Sequence, residues 1–464
     1  MGTKVRTAIR AALSRFRLPL ALIVLPLALV VCLAIVLFAS GSEASNSDRI
    51  YRPSELGLGH GAVARTAMVR QPGAPTYALA ARNGVNQLIG LGGQTPVSQQ
   101  PADGLWGGHT LPNWWESALA LLALTRYLER THSTQQVYQQ AILKLYTHNV
   151  LRPGTHAPLN FGNEFNDDTG WWGVAWLEAA RYELYVRHDT TDATKFLNVA
   201  EWDANFIFAQ DRRCGGIQWG MGKPPDTITT AEFLSLTAGL YSLRNAPGPL
   251  HNAATAKHWR ADTNWAWGWL MHSHLINVKT GRVYDQLKAG SCRRWGGPLT
   301  YSEGWMAEAL VKMGVAYHSR TYLRYAQAFL RYAVTPSDGL IHHGVIAEKC
   351  EAVAANCQGL RSRLDIPAWK GLLVDALSDW TSVTGSKEFL SVIRDQANAV
   401  VNTAILSAGS DRCRTAANCM FSQYWIPPTH LVSWAPGATV GGQESAIDAL
   451  TAALPARNPV AARP

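Results

Sequence analysis

Phe165-Asn166-Asp167-Asp168-Thr169-Gly170-Trp171-Trp172 sets two adjacent carboxylates just ahead of a helix and follows them with two indoles. Side-by-side carboxylates are costly, because each raises the other's pKa. A chain that keeps such a pair beside aromatic walls often uses it for acid/base or nucleophilic work on sugars. The plainer reading is that Asp168 N-caps the helix, since Asp is a favoured cap. Downstream, Trp172, Ala175, Trp176, Ala179, Tyr182 and Val186 recur with a period of 3.6, so the helix predicted over 170–187 has one apolar stripe.

The same pattern runs outward in both directions. Helices are expected near 76–91, 113–129, 133–147, 170–187, 191–209, 228–243, 255–273, 301–314, 319–333, 367–383, 387–403 and 441–453, with no convincing strand series. Asn113-x-x-Glu116, Thr229-x-x-Glu232 and Thr300-x-x-Glu303 each resemble a capping box. After the third helix the connections alternate between short (188–190, 315–318, 384–386) and long (148–169, 210–227, 274–300, 334–366, 404–440). Long loops in a compact domain tend to be functional. If the helices pair as hairpins around a ring, those loops gather on one face, which would hold the site. Six such hairpins make an all-α (α/α)6 barrel over 75–454.

The flanks read differently. Lys4, Arg6, Arg10, Arg15 and Arg17 precede an uncharged, mostly aliphatic run from Leu18 to Ser40. That run is long enough to span a bilayer and longer than an ordinary signal-peptide core. Residues 1–40 are therefore expected to be a signal anchor, with a cleaved signal as the alternative, given the small residues around Ala39-Ser40-Gly41. The basic flank keeps the amino terminus cytoplasmic and the bulk of the chain extracytoplasmic. Residues 41–74 read as a linker and 455–464 as a disordered tail.

The net charge is +9, of which five positive charges lie in the first 40 residues, leaving +4 for the rest. No basic cluster interleaved with aromatics marks a nucleic-acid binder. Of seven cysteines, Cys32 falls in the apolar run and six lie beyond it. An even count in an oxidising compartment suggests disulfides. Cys350 with Cys357 and Cys413 with Cys419 are the simplest local pairs, leaving Cys214 with Cys292. Their spacing fits no zinc pattern, and adjacent His342-His343 is a weak metal signal without a third ligand. There is no Gly-x-Ser-x-Gly elbow and no phosphate loop. No cofactor is expected.

Several blocks resemble glycoside hydrolase family 76, the α-1,6-mannanases and related cell-wall transglycosidases. They are Trp114-Trp115-Glu116-Ser117-Ala118, Asn166-Asp167-Asp168-Thr169-Gly170-Trp171-Trp172, Cys214-Gly215-Gly216-Ile217-Gln218-Trp219, Val283-Tyr284-Asp285, Leu299-Thr300-Tyr301-Ser302-Glu303-Gly304 and Trp369-Lys370-Gly371. The blocks occur in the family's order over roughly 110–453, and the paired aspartates before Trp-Trp are the specific element. The resemblance implies an (α/α)6 barrel and a retaining mechanism, with Asp167 attacking the anomeric carbon and Asp168 as general acid/base. Where the family usually reads Tyr-Asn-Gln this chain has Tyr301-Ser302-Glu303. Where two indoles often follow Gly-Gly-Ile it has Gln218 and Trp219.

Other roles follow from setting. Trp115, Trp171 and Trp219 are candidate stacking surfaces for mannose, whereas Trp172 reads as core. Tyr284, Asp285 and Tyr301 are candidate substrate contacts. Glu303 is either the capping-box partner of Thr300 or a ligand, and Lys370 reads as a surface charge. The expected substrate is α-1,6-mannan, free or lipid-linked, cleaved internally. A transglycosidase using the same pair and a glycan-binding scaffold are the alternatives; a scaffold would need no such pair.

Overall fold

The computed structural model describes residues 69–90, 104–106, 113–150, 161–336, 340–352, 365–407, 409–426 and 439–455. Chain contacts separate Met1–Ala64 from Arg65–Pro464. The expected anchor, the linker up to residue 68 and the tail beyond residue 455 lie outside the described residues. Among the described residues, no helix is long and apolar enough to cross a membrane.

Twelve helices of ten residues or more are described, close to the expected positions. They are α1 (Tyr77–Leu88), α2 (Asn113–Thr131), α3 (Gln136–Asn149), α4 (Asn166–Tyr182), α5 (Thr190–Phe208), α6 (Thr227–Asn245), α7 (Ala253–Ser273), α8 (Thr300–Ala316), α9 (Arg320–Ala333), α10 (Trp369–Thr384), α11 (Leu390–Ala399) and α12 (Val440–Ala452). Even-numbered helices form the inner ring: α2 packs on α4, α4 on α6, α6 on α8, α8 on α10, α10 on α12, and α12 back on α2. Outside it, α5 lies on α4, α7 on α6, α9 on α8, α11 on α10 and α12, and α1 on α12. Tyr146 of α3 packs edge-on against Trp176 and Phe196.

The two layers differ as burial dictates. Inner helices α4, α8 and α12 are buried on almost every side, so their sequences are apolar or small nearly throughout. Outer helix α9 buries only Ala326, Phe329, Leu330 and Ala333, a single stripe on an otherwise polar helix. The short turns His132, His188, His318 and Gly385, which join inner to outer helices, each hold a left-handed residue.

Three local expectations change. Helix α4 starts at Asn166, four residues early, so Asp167 and Asp168 lie inside its first turn; Phe165 occupies the cap position and Asp168 caps nothing. The cap of α6 is Asp226, whose carboxylate accepts the Thr229 N–H, so Thr229 and Glu232 are helix interior. The cap of α8 is Leu299, so Thr300 and Glu303 form no capping box. The loops also carry four two-residue β-hairpins: Arg212–Arg213 with Gly216–Ile217 (β1–β2), Ile276–Asn277 with Arg282–Val283 (β3–β4), Gln286–Leu287 with Arg294–Trp295 (β5–β6), and Ile341–His342 with Val345–Ile346 (β7–β8). Two-residue strands are too short for period-2 patterning to show in sequence.

At the carboxyl ends of the inner helices lies a cavity of about 190 Å³ lined from all six, including Arg126, Glu178, Ser242, Lys312, Asp375 and Thr451. Among its charges, Arg126 pairs with Asp375, and Lys312 with Glu178 at 2.5 Å.

Candidate active site

The long loops converge at the opposite, amino-terminal ends of the inner helices and are stitched to one another. Asn166 N donates to Trp219 O (2.8 Å), tying the start of α4 to the loop before α6. Thr227 N donates to Asp285 O (2.8 Å), and Asp226 bridges to Gln286, tying that loop to the next. Thr300 N donates to Glu348 Oε1 (2.7 Å). Lys370, 1% exposed and not the surface charge expected, pairs with Glu351 (2.5 Å) and donates to Gln423 O (2.5 Å). A buried ammonium needs such a partner.

Asp167 and Asp168 stand on this face. The Asp167 carboxylate Oδ1 accepts the Asp168 backbone N–H (2.9 Å), and Asp168 Oδ2 accepts from Asn163 Nδ2 (2.7 Å). Trp219 O takes up the free N–H groups of Asn166 and Asp167 at the helix end. Burial raises the Asp167 carboxyl to about 7, and the N–H it accepts restrains the rise. Asp168 is also raised well above the ordinary carboxylate range, first by burial and then by the neighbouring Asp167 charge. The backbone N–H that Asp167 accepts favours its charged form, and that charge favours the protonated form of Asp168.

More acids surround the pair than the sequence indicated. Asp226 and Glu232 are both raised well above the ordinary range, first by burial and next by Asp167. Glu232 is fully buried, neither carboxyl oxygen has a hydrogen-bond partner, and a Cβ on Gly170 would lie 2.2 Å from its Oε2. Gly170 is glycine because that carboxyl fills its side-chain space. Asp365, raised to about 6 by burial, acts electrostatically on both aspartates. Glu232 read only as the capping-box partner of Thr229, and neither Asn163 nor Asp365 lies in a motif of its own. Asp226, in Pro225-Asp226-Thr227 before a helix, carries the signal of an N-cap.

The other candidates separate into two groups. Tyr301 O–H donates to Asp285 Oδ1 (3.3 Å), its ring stacks on Trp369 at 4.4 Å, and Asp285 is raised to about 6 by burial. The charges of Asp285, Asp226 and Asp167 all bear on Tyr301, which places Tyr301, Asp285 and Trp369 with the pair. Trp219 stacks on Phe165 (5.8 Å, 12°) beside Asn166, with the Lys223 ammonium 5.3 Å from its ring.

Trp115 and Trp171 are buried, Trp171 edge-on against Trp305, so neither offers an open face. Trp172 is core, as expected. Glu303 is fully buried and accepts the Val283 N–H (3.0 Å), bracing the β4 strand that leads to Asp285. Tyr284 instead meets Arg282 and Arg294, whose guanidinium groups both lie over its ring.

Cys214 and Cys292 are bonded, as are Cys413 and Cys419. Cys350 is also disulfide-bonded, and Cys357 lies outside the described residues. In the Cys214-Gly215-Gly216 block, Trp269 lies so close that a Cβ on Gly216 would meet its ring at 2.0 Å, while its indole N–H donates to Cys214 O. His343 sits at the turn of β7–β8 with φ 52°. Among the described residues, Glu183, Asp189 and Asp192 are the acids close enough together to share a cation. Two of these carboxylates already hold Arg187 and Lys195.

A ring of paired helices with adjacent acids at its loop-bearing mouth is an architecture used on carbohydrates. The family model described as glycosyl hydrolase family 76 matches residues 96–462, and the chain belongs to that family. Its fold is similar to an α-1,6-mannanase from Salegentibacter sp. (16% identity, TM-score 0.61), the match covering 82% of this chain and 99% of that one. That structure is of an inactive variant, with two consecutive aspartates replaced by asparagine, in complex with α-1,6-mannotriose. Dfg5 from Chaetomium thermophilum, solved with glucosamine, is similar at 19% identity and TM-score 0.61, covering 82% of this chain and 89% of that one. An α-mannanase of the family from Bacteroides thetaiotaomicron matches at 13% identity and TM-score 0.58, over 82% and 96%. At these identities the likeness speaks to the fold. A comparison with curated proteins gave no match.

Proposed function

We propose that this protein is a retaining endo-α-1,6-mannanase, acting outside the cytoplasm on free or lipid-linked mannan. The observation that carries the reading is the paired acids in the first turn of α4, Asp167 accepting a backbone N–H that favours its charge and Asp168 held by Asn163 beside that charge. Two acids with separated affinities are the requirement for one nucleophile and one proton donor. Asp167, its charge favoured by a backbone N–H, attacks the anomeric carbon. Asp168, still protonated, delivers its proton to the departing oxygen. It then deprotonates the water that releases the sugar, so the configuration is retained through two inversions. Asn163 holds Asp168 in place. Tyr301, Asp285 and Trp369 line the adjoining subsite, and Trp219 flanks the mouth.

Support for mannan comes from the Salegentibacter complex, in which a family member with two consecutive aspartates replaced holds an α-1,6-mannooligosaccharide. The extracytoplasmic location rests on the apolar run at 18–40 and on the disulfides, which persist in oxidising compartments. Defined α-1,6-mannooligosaccharides, with products followed by NMR, provide the test. The expected first product is the α-anomer of a shortened oligosaccharide. A β-anomer excludes retention, absence of cleavage refutes the mannanase reading, and longer products in excess acceptor identify a transglycosidase.

A further inference from the structure

We propose that the rim of this site, at Arg282 and Arg294, binds a phosphodiester carried by the mannan chain. The proposal rests on the mannan reading and adds an anionic anchor to it.

Segments 212–223 and 279–295 hold eight Lys and Arg against one acid, Asp285, a net of +7. Residues 41–464 carry +4 in total, so everything outside these two segments sums to −3. The positive charge of the exported chain is thus concentrated at one place. Arg213, Lys223, Lys279, Arg282, Lys288, Arg293 and Arg294 are exposed, and none of the ion pairs among the described residues uses one of them. Arg212 is turned inward over Phe208 and Trp265.

The patch is built rather than loose. The Cys214–Cys292 bond joins the two segments beside Arg213 and Arg293. The guanidinium groups of Arg282 and Arg294 both lie over the Tyr284 ring, at 4.7 and 4.4 Å. A shared aromatic ring holds two cations together that would otherwise repel. Guanidinium forks of this kind match the oxygens of a phosphodiester.

Position links the patch to the substrate rather than to a membrane. Tyr284 and Asp285 are consecutive between β4 and β5, yet their side chains meet different partners. Asp285 meets Tyr301 of the acid cleft, and Tyr284 meets the rim arginines. The charge on Asp167 in the cleft repels an anion, whereas the rim one residue away attracts it. A neutral mannan with one anionic end would be held in a single orientation, its neutral part over the paired acids. Trp295, half exposed beside Arg294, gives the connecting sugar an apolar face.

The test compares two oligosaccharides with the same α-1,6-mannose backbone, one neutral and one ending in a phosphodiester. At about 50 mM salt the wild type should favour the phosphorylated chain about tenfold in kcat/KM, through KM, and about 0.5 M salt should remove the advantage. The Arg282→Gln/Arg294→Gln variant should lose the preference, with the neutral chain as its reference. Equal rates in the wild type, or a preference surviving in the variant, overturn the proposal. Arginine-dependent binding to anionic vesicles without mannan, with no preference between the oligosaccharides, assigns the patch to a membrane and also overturns it. If neither chain is cleaved, the mannanase reading fails by itself. Calorimetry with Asp167→Asn protein then decides the rim, since equal affinity for the two chains refutes it.

Discussion

At the scale of single residues, two neighbouring carboxyls differ because one accepts a backbone N–H and the other sits deeper beside a charge. This sets the pH dependence. As pH rises through about 7, Asp167 loses its proton and kcat/KM should climb. Once Asp168, held protonated by burial and by the charge on Asp167, ionises in turn, the rate should fall. A profile flat from pH 5 to 8 would contradict the assignment. Asp167→Ala and Asp168→Ala should each abolish mannan cleavage while folding normally. An activated aryl mannoside should partly restore the first chemical step in Asp168→Ala but not in Asp167→Ala. Gly170→Ala forces a methyl onto Glu232, and a clash of that kind costs about 1–3 kcal/mol. Chemical denaturation of that variant measures it. The aspartate pair was legible because it is contiguous and precedes two indoles. Asp226, Glu232 and Asp365 were not, because they come from separate segments and meet only after the ring closes.

At the scale of elements, the alternation of short and long connections was enough to predict six hairpins, because short turns force neighbours to pack antiparallel. The start of α4 was read four residues late: two aspartates and a glycine look like a pre-helical turn, and only burial against α6 makes them helical. The four hairpins were invisible for want of length. The disulfide between β1–β2 and the end of β5–β6 binds two of these loops. Its removal in a Cys214→Ser/Cys292→Ser variant should lower stability by about 2–5 kcal/mol, the range for small secreted domains, or less in so large a core. KM should rise with it, as Trp219 and Asp285 lose their common tether. Non-reducing peptide mapping checks the bond, and unchanged kinetics would show that the loops hold themselves.

At the scale of the whole molecule, the inner ring buries carboxyls it does not pair fully. Glu116 and Glu308 are each raised to about 8, chiefly by burial. The folded state then holds protons that the unfolded chain has already released. That contribution to stability is whole below the ordinary carboxylate range and is lost as pH rises to about 8. The melting temperature should therefore fall between pH 5 and 8. Glu116→Gln, which cannot ionise, should fall less. An increase over that interval would mean the buried acids are charged in the folded protein.

The ring closes through its two most distant helices. Gln443 Nε2 on α12 donates to Gly84 O on α1, 359 residues earlier, and α12 also completes the inner circle against α2. The first helices made thus keep their apolar sides uncovered until the last has been synthesised. Such late, long-range closure delays folding. For a chain exported as proposed, delay is an advantage: the polypeptide stays threadable until its final helix arrives, and acquires its barrel and its acids' high proton affinity only on the far side.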